Sequence, residues 1–349
     1  MTRLSPARYF GFLGLCVVLL LVAIIVSPGI GNLSSNVGIT KAWRAYFAGD
    51  SQATAYRIGF VLRMPRTLLA LQAGITLGLC GGVFQTLFRN PLATPYTLGI
   101  ASGGSLGALI AIKLGLDTFL LGIPSRALMA FAGALLVIAI VFVFTRGALR
   151  LTTSELLLAG VTMGLFCSAM MMLLTSLSNA RQTIDMVRWM MGSLQTVGHI
   201  ASTRCWPLTL PCWVVLVLHA SALNQYSMGE ELAASRGVHV ARLQVICILF
   251  ASLATAAVVA VCGPIGFVGL VVPQMTGLLI GRDCRILLPA SAMLGGLFLA
   301  VCDWLSQLAG NAIGRLIDRD LVGAELPIGV VTAIVGVPIF LILLHRRAA

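Results

Sequence analysis

Charge is scarce in this chain. Asp, Glu, Lys and Arg make up only 10% of its 349 residues, where a soluble domain carries about a quarter. That excludes an ordinary water-soluble globule. Lysine is nearly missing, with Lys41 and Lys113 the only two, and no G-x-x-x-x-G-K-[ST] occurs. The chain therefore cannot hold nucleotide through a P-loop. HExxH, zinc-spaced Cys/His clusters and a convincing Ser–His–Asp set are also missing, which removes the common metal and nucleophilic chemistries. The nine cysteines show no C-x-x-C spacing. Cys16, Cys80, Cys167, Cys247 and Cys262 lie within or at the ends of apolar runs and read as small buried hydrophobes. His199, His219, His239 and His345 sit at the borders of such runs, which reads as interfacial placement rather than metal ligation.

What remains is apolar. Hydrophobic residues are 59% of the chain and the mean hydropathy is +1.01. Runs long enough to cross a bilayer recur, so the chain reads as an all-α polytopic membrane protein in one domain, 1–349. About ten helices are expected: Phe10–Val26, Thr67–Phe88, Tyr96–Ile112, Arg126–Phe144, Ser154–Leu177, Trp206–His219, Arg242–Val261, Phe267–Ile280, Leu288–Ala309 and Pro327–Leu344. The first follows Arg3 and Arg8 but leads to no small-residue cleavage site, so it reads as a retained helix rather than a signal peptide. The sixth and eighth are short. Gly263-Pro264-Ile265-Gly266 precedes the eighth, which predicts a broken or partly re-entrant segment, tolerated at membrane depth only inside protein or along a cavity.

The net charge is +12, from 23 basic and 11 acidic residues. In a soluble protein that excess would point to nucleic acid. Here the charges are scattered over loops, so membrane lipid and acidic protein partners are expected and nucleic acid is not. Basic residues divide almost evenly between the two sides, so positive-inside counting does not fix orientation. Arg3, Arg8, Arg346 and Arg347 favour both termini in the cytoplasm. Lys41, Arg44, Arg57, Arg63 and Arg66 then share one external segment between the first two spans, an unusual bias that implies a specific acidic partner.

Arg63-Met64-Pro65-Arg66 opens the second span, and Phe88-Arg89-Asn90-Pro91-Leu92-Ala93-Thr94-Pro95 closes it in a proline-bracketed turn. Gly74, Gly78 and Gly82 in that span, then Gly103 and Gly107 in the next, recur at the spacing that lets helices approach closely. Asp303, inside the ninth run, is the main candidate for a membrane acid, with Glu155 and Glu325 near span ends. A proton-coupled secondary carrier would use such an acid as a relay, although an external-end or helix-terminal carboxylate is the plainer reading. Between spans, Ser227 and Glu230 have capping-box spacing, Glu230 and Glu231 fill a first turn, and Arg236-Gly237 supplies a stop. A short amphipathic helix at about 227–238 follows, either lying in the interface or acting as a lever for a partner.

Taken in order, these segments resemble the permease subunits of the ABC importers for iron–siderophores, haem and vitamin B12. The matching pieces are Arg63-x-Pro-Arg66, Gln85-x-x-x-Arg89-Asn90-Pro91-Leu92-Ala93, Thr97-Leu98-Gly99 and Trp189-x-x-Gly192-Ser193. The later ones are Gly263 through Pro273, Gly281-x-Asp283-x-Arg285, and Glu325-Leu326-Pro327-Ile328-Gly329. The resemblance implies a type II importer permease fold of ten helices and no enzymatic activity in this chain. It implies pairing with a second permease subunit, identical or paralogous, and two cytoplasmic ATPase subunits that hold ATP and Mg²⁺. This chain would bind no cofactor. It places the coupling helix at Ser227–Val238, with Ser227, Glu230, Glu231, Arg236 and Gly237 as contacts. Asn90, Leu92, Thr153 and Ser154 match the cytoplasmic gate. Arg63 and Arg66 match arginines that dock an external solute-binding protein in the inner-membrane complex. The chain departs from the family's pattern at Gln274, Gly277, Cys284 and Gln307, and an insertion spans Asn311–Val322. In that insertion Arg315 or Arg319 would substitute as docking residues. A ferric siderophore is the expected cargo, with vitamin B12 or haem as the alternative.

Overall fold

A computed structural model of the chain describes residues 6–31, 37–116, 118–120, 123–145, 153–195, 198–316 and 325–348. The helices are α1 (Pro6–Val26), α2 (Ile39–Phe47), α3 (Thr54–Tyr56), α4 (Met64–Leu87), α5 (Ile100–Lys113), α6 (Ser125–Thr145), α7 (Thr153–Ser176) and α8 (Ala180–Met190). There follow α9 (Ile200–Leu218), α10 (Ala220–Tyr226), α11 (Glu230–Ser235), α12 (Val240–Cys262), α13 (Val268–Ile280), α14 (Cys284–Leu316) and α15 (Ile328–Ala348). A two-residue antiparallel ladder, β1 (Phe119–Leu120) with β2 (Ile123–Pro124), joins α5 to α6.

Among the described residues, seven helices are long and apolar enough to span a membrane. An eighth span is broken: α9 and α10 meet at 51°. The shorter apolar helices α5 and α13 bring the set to ten. All ten expected segments are present. α13 is 13 residues long, about 20 Å at 1.5 Å per residue, against a hydrocarbon core of about 30 Å. The irregular stretch Gly263–Phe267 leads into α13 from α12. It turns with positive φ at Gly263 (68°) and at Phe267 (67°), and Ser193 N donates to Cys262 O at its entrance.

α4 is the axis of the fold. Its span is 89% buried, while those of α7 and α15 are 22% buried. The difference separates helices that face protein from helices whose apolar side chains are left exposed in the chain. α4 packs most extensively on α14, and also on α13, α12 and α9. Its glycine face permits this. A Cβ on Gly78 would sit 2.3 Å from Ser291 O, and one on Gly74 would sit 2.2 Å from Gly295 O. Gly103 and Gly107 do the same for α5 against α6, meeting Gly133 and Met129. Gly82 meets side chains rather than backbone, Leu288 at 2.9 Å and Pro273 and Ser291 at 3.9 Å. All nine cysteines are buried and unpaired, consistent with their use as small hydrophobes.

The elements define two faces. α2, the start of α4 and the start of α15 lie at one, which we call the α2 face. Arg63 reaches Pro28 O just beyond α1, and Gly329 N donates to Met191 O. At the other, the α11 face, the turn after α4 meets α10 and α11. Phe340, Leu343 and Leu344 near the end of α15 share a small cavity there with Pro91 and Gln274. α1 ends at the α2 face, so it starts at the α11 face, and α15 ends there.

One local feature escaped the sequence reading. α8 opens with a reciprocal capping box in which Gln182 N donates to Asn179 Oδ1 at 2.9 Å and Asn179 N donates to Gln182 Oε1 at 3.4 Å. Asn179→Ala is expected to lower stability by about 1 kcal/mol, read as a small fall in the thermal midpoint of detergent-solubilised protein.

Candidate functional site

At the α11 face the turn after α4 is built by its own side chains. Asn90 Oδ1 accepts from Leu92 N at 2.9 Å, and Thr97 Oγ1 donates to Thr94 O at 2.6 Å. Asn90 therefore folds back on the turn, while Leu92 stays 51% exposed. Gln85 fixes the turn to α13 by donating to Gly269 O and Leu270 O, both at 3.1 Å. Gln274 bonds both Gln85 Oε1 and Pro91 O. The position that departs from the family's pattern thus ties the turn to α13 through an amide.

Ser154 is exposed in the first turn of α7, and the side chain of Thr153 lies outside the described residues. α7 meets the Asn90 turn region two turns further on. A Cβ on Gly160 would lie 2.5 Å from Leu98 Cα.

The predicted lever is α11, a single helical segment of six residues. Its stop is the one read from Arg236-Gly237. Gly237 has φ 84°, Val238 N donates to Ala233 O and Gly237 N to Ala234 O, the two bonds of a Schellman motif. Its start differs from expectation. The N-cap is Gly229 with no side-chain cap, and Ser227 Oγ donates backwards to Asn224 O at 2.8 Å. The capping-box reading of Ser227 and Glu230 is corrected: Glu230 Oε1 accepts instead from the Tyr226 hydroxyl at 2.9 Å. Ala233 is buried beneath the helix, while Met228, Glu231, Leu232 and Arg236 are exposed along it.

At the α2 face both motif arginines turn inward. Arg63 is 7% exposed, and its Nη1 donates to Pro28 O at 3.1 Å and Val37 O at 3.0 Å. It ties the segment between α1 and α2 to the mouth of α4. Arg66 is 8% exposed. Its Nε donates to Asp303 Oδ1 at 2.8 Å, Nη1 to Glu325 Oε2, and Nη2 to Ser306 Oγ at 3.3 Å. Gln307 Nε2 donates to Asp303 Oδ2 at 2.9 Å and Gln195 Nε2 to Glu325 Oε2 at 3.1 Å. The helix-terminal reading of Asp303 is also corrected. It sits in the interior of α14 with no exposed surface, and both its oxygens are engaged within the chain.

The exposed cations of this face lie elsewhere. Lys41 and Arg44 project from α2, Arg57 follows α3, and Arg181 and Arg188 lie on α8. Arg315 falls on α14 with its side chain outside the described residues, and Arg319 lies outside them altogether.

Known proteins share this arrangement of segments. The family model described as the FecCD transport family matches residues 19–346. The chain is 34% identical to the hemin transport system permease protein HmuU of Yersinia pestis, over 99% of this chain and 97% of that protein. It is 36% identical to the vitamin B12 import system permease protein BtuC of Salmonella typhi, over 82% of this chain and 83% of that protein. A solved structure described as an inward-facing conformation of a metal-chelate type ABC transporter superposes with a TM-score of 0.80 at 29% identity. The match covers 97% of this chain and 99% of that one.

Proposed function

The chain belongs to the FecCD transport family of ATP-binding-cassette importer permeases, and on that premise we propose that it carries a ferric siderophore or related iron chelate across the cytoplasmic membrane by alternating access. The observation that carries this reading is α11 held against the Asn90 turn in a chain with no P-loop of its own. ATP and Mg²⁺ belong to two partner ATPase subunits, and α11 is the element they move. Its exposed Met228, Glu231, Leu232 and Arg236 form their contact. The α11 face is then cytoplasmic, and the start of α1 and end of α15 lie with it.

A second permease subunit completes the pathway. A gate at a subunit interface has to be exposed in the single chain, and Leu92 is. The external binding protein docks on the α2 face, and its acidic residues meet Arg44 and Arg57 rather than the buried Arg63 and Arg66. Exposed charges of this kind steer encounter and set register. Haemin or cobalamin, the cargoes of the named relatives, is the second reading of the substrate.

Reconstitution in proteoliposomes with the ATPase subunits and binding protein tests the proposal. Labelled ferric chelate is expected to accumulate only with ATP and to be indifferent to a proton ionophore. Uptake that followed the proton gradient without ATP would overturn it, and accumulation of cobalamin or haemin alone would replace the cargo.

A further inference from the structure

Tyr226 lies where three elements converge on its carbonyl, its ring and its hydroxyl. The gate turn reaches its carbonyl and its ring. Arg89 Nη2 donates to Tyr226 O at 2.9 Å, and Arg89 Cζ stands 4.6 Å from the ring centroid, a cation–π distance. The lever reaches its hydroxyl, which donates to Glu230 Oε1 at 2.9 Å. α12 reaches the same hydroxyl from the other side, where Gln244 Nε2 donates at 3.1 Å. The side chain has no exposed surface and cannot turn without breaking one of these contacts. Arg89 is itself held in an unfavourable backbone conformation, with φ 49°, one of two described non-glycine residues at positive φ. Its surroundings have to hold that geometry in place.

We infer that Tyr226 is the positioning residue that passes displacement of α11 to the Asn90 turn, with Arg89 as its receiving end. A bond from Gln244 alone would satisfy a buried hydroxyl, and a helix end alone would explain the bond to Tyr226 O. Neither explains why the hydroxyl also engages the first residue of the lever while the ring carries the gate arginine. The rigid phenol converts a tilt of Glu230 into a shift of Arg89, and thus of the turn that begins with it. The inference rests on the reading of α11 as the ATPase lever.

The test uses the whole complex, permease with its ATPase subunits and binding protein, in proteoliposomes. Tyr226→Phe removes the hydroxyl and keeps the ring. ATPase subunits are expected to co-purify in unchanged ratio, while ATP consumed per chelate moved rises about tenfold, the size expected for one charge-assisted hydrogen bond. Arg89→Met acts at the other end of the linkage and, at an exposed residue, serves if Tyr226→Phe fails to fold. It is expected to uncouple to a similar degree, and the double variant to be no worse than the worse single. An unchanged ATP-to-chelate ratio in both single variants, or losses that add in the double variant, would overturn the inference. If the unaltered complex shows no ATP-driven uptake, the lever reading itself fails, and the two failures are told apart in one experiment.

Discussion

Arg66→Met should cost about 3–5 kcal/mol of stability, the range for removing one partner of a buried ion pair. The reason is what stays behind. Asp303 has no exposed surface, and with the guanidinium gone its carboxylate keeps only the Gln307 amide while Glu325 stands nearby with the same sign. The expected result is a steep fall in folded permease in the membrane and in its thermal midpoint after solubilisation. Arg66→Met with Asp303→Leu should recover most of the loss, because an apolar replacement of both partners leaves no orphaned charge. The same variants separate this role from docking. If Arg66 met an acidic binding protein, Arg66→Glu would be rescued by an acid-to-lysine change on that protein and the thermal midpoint would not move. With the pairing seen here, the reversal places a third carboxylate beside Asp303 and Glu325, so no change in another protein restores it.

A single methyl group should have the second large effect. In Gly81→Ala the added carbon would lie 2.0 Å from Gly269 O and 2.6 Å from Gly269 Cα. Both are backbone atoms and cannot rotate aside, so α4 and α13 must separate. Overpacking costs typically about 1–3 kcal/mol, and here it falls on the residues Gln85 uses to tie the Asn90 turn to α13. Uptake is therefore expected to drop more than protein abundance. Gly78→Ala, against Ser291 O, should lower the thermal midpoint without that selectivity. Gly14→Ala is the control, since no atom lies within 4 Å of the added carbon. It should be neutral or gain up to about 1 kcal/mol from helix propensity. Equal losses of uptake and abundance in Gly81→Ala would make the contact plain packing.

Much of this was readable one residue at a time, and the reason is the solvent. A bilayer demands long apolar runs with internally bonded backbones, so the ten segments followed from composition along the chain. The glycine faces of α4 and α5 followed from spacing, and the stop of α11 at Gly237 followed from local backbone chemistry. The start of α11 did not. Ser227 could cap forwards or bond backwards, and the choice fell to Tyr226, whose hydroxyl claims Glu230.

The arginines at the mouth of α4 show the same division more sharply. Their position in the chain was plain, but their direction depended on carboxylates 237 and 259 residues away. No periodicity relates residues so far apart, and a guanidinium turns to whichever acid the packed helices bring within reach. Hydropathy and backbone chemistry act locally, so a ten-helix membrane protein, its close-packed helix faces and the stop of α11 could be read along the chain. Only tertiary packing could decide that Asp303 lies beside Arg66, that Gln274 holds the Asn90 turn, and that Tyr226 stands between that turn and α11, because each depends on parts of the chain that the helices must first bring together.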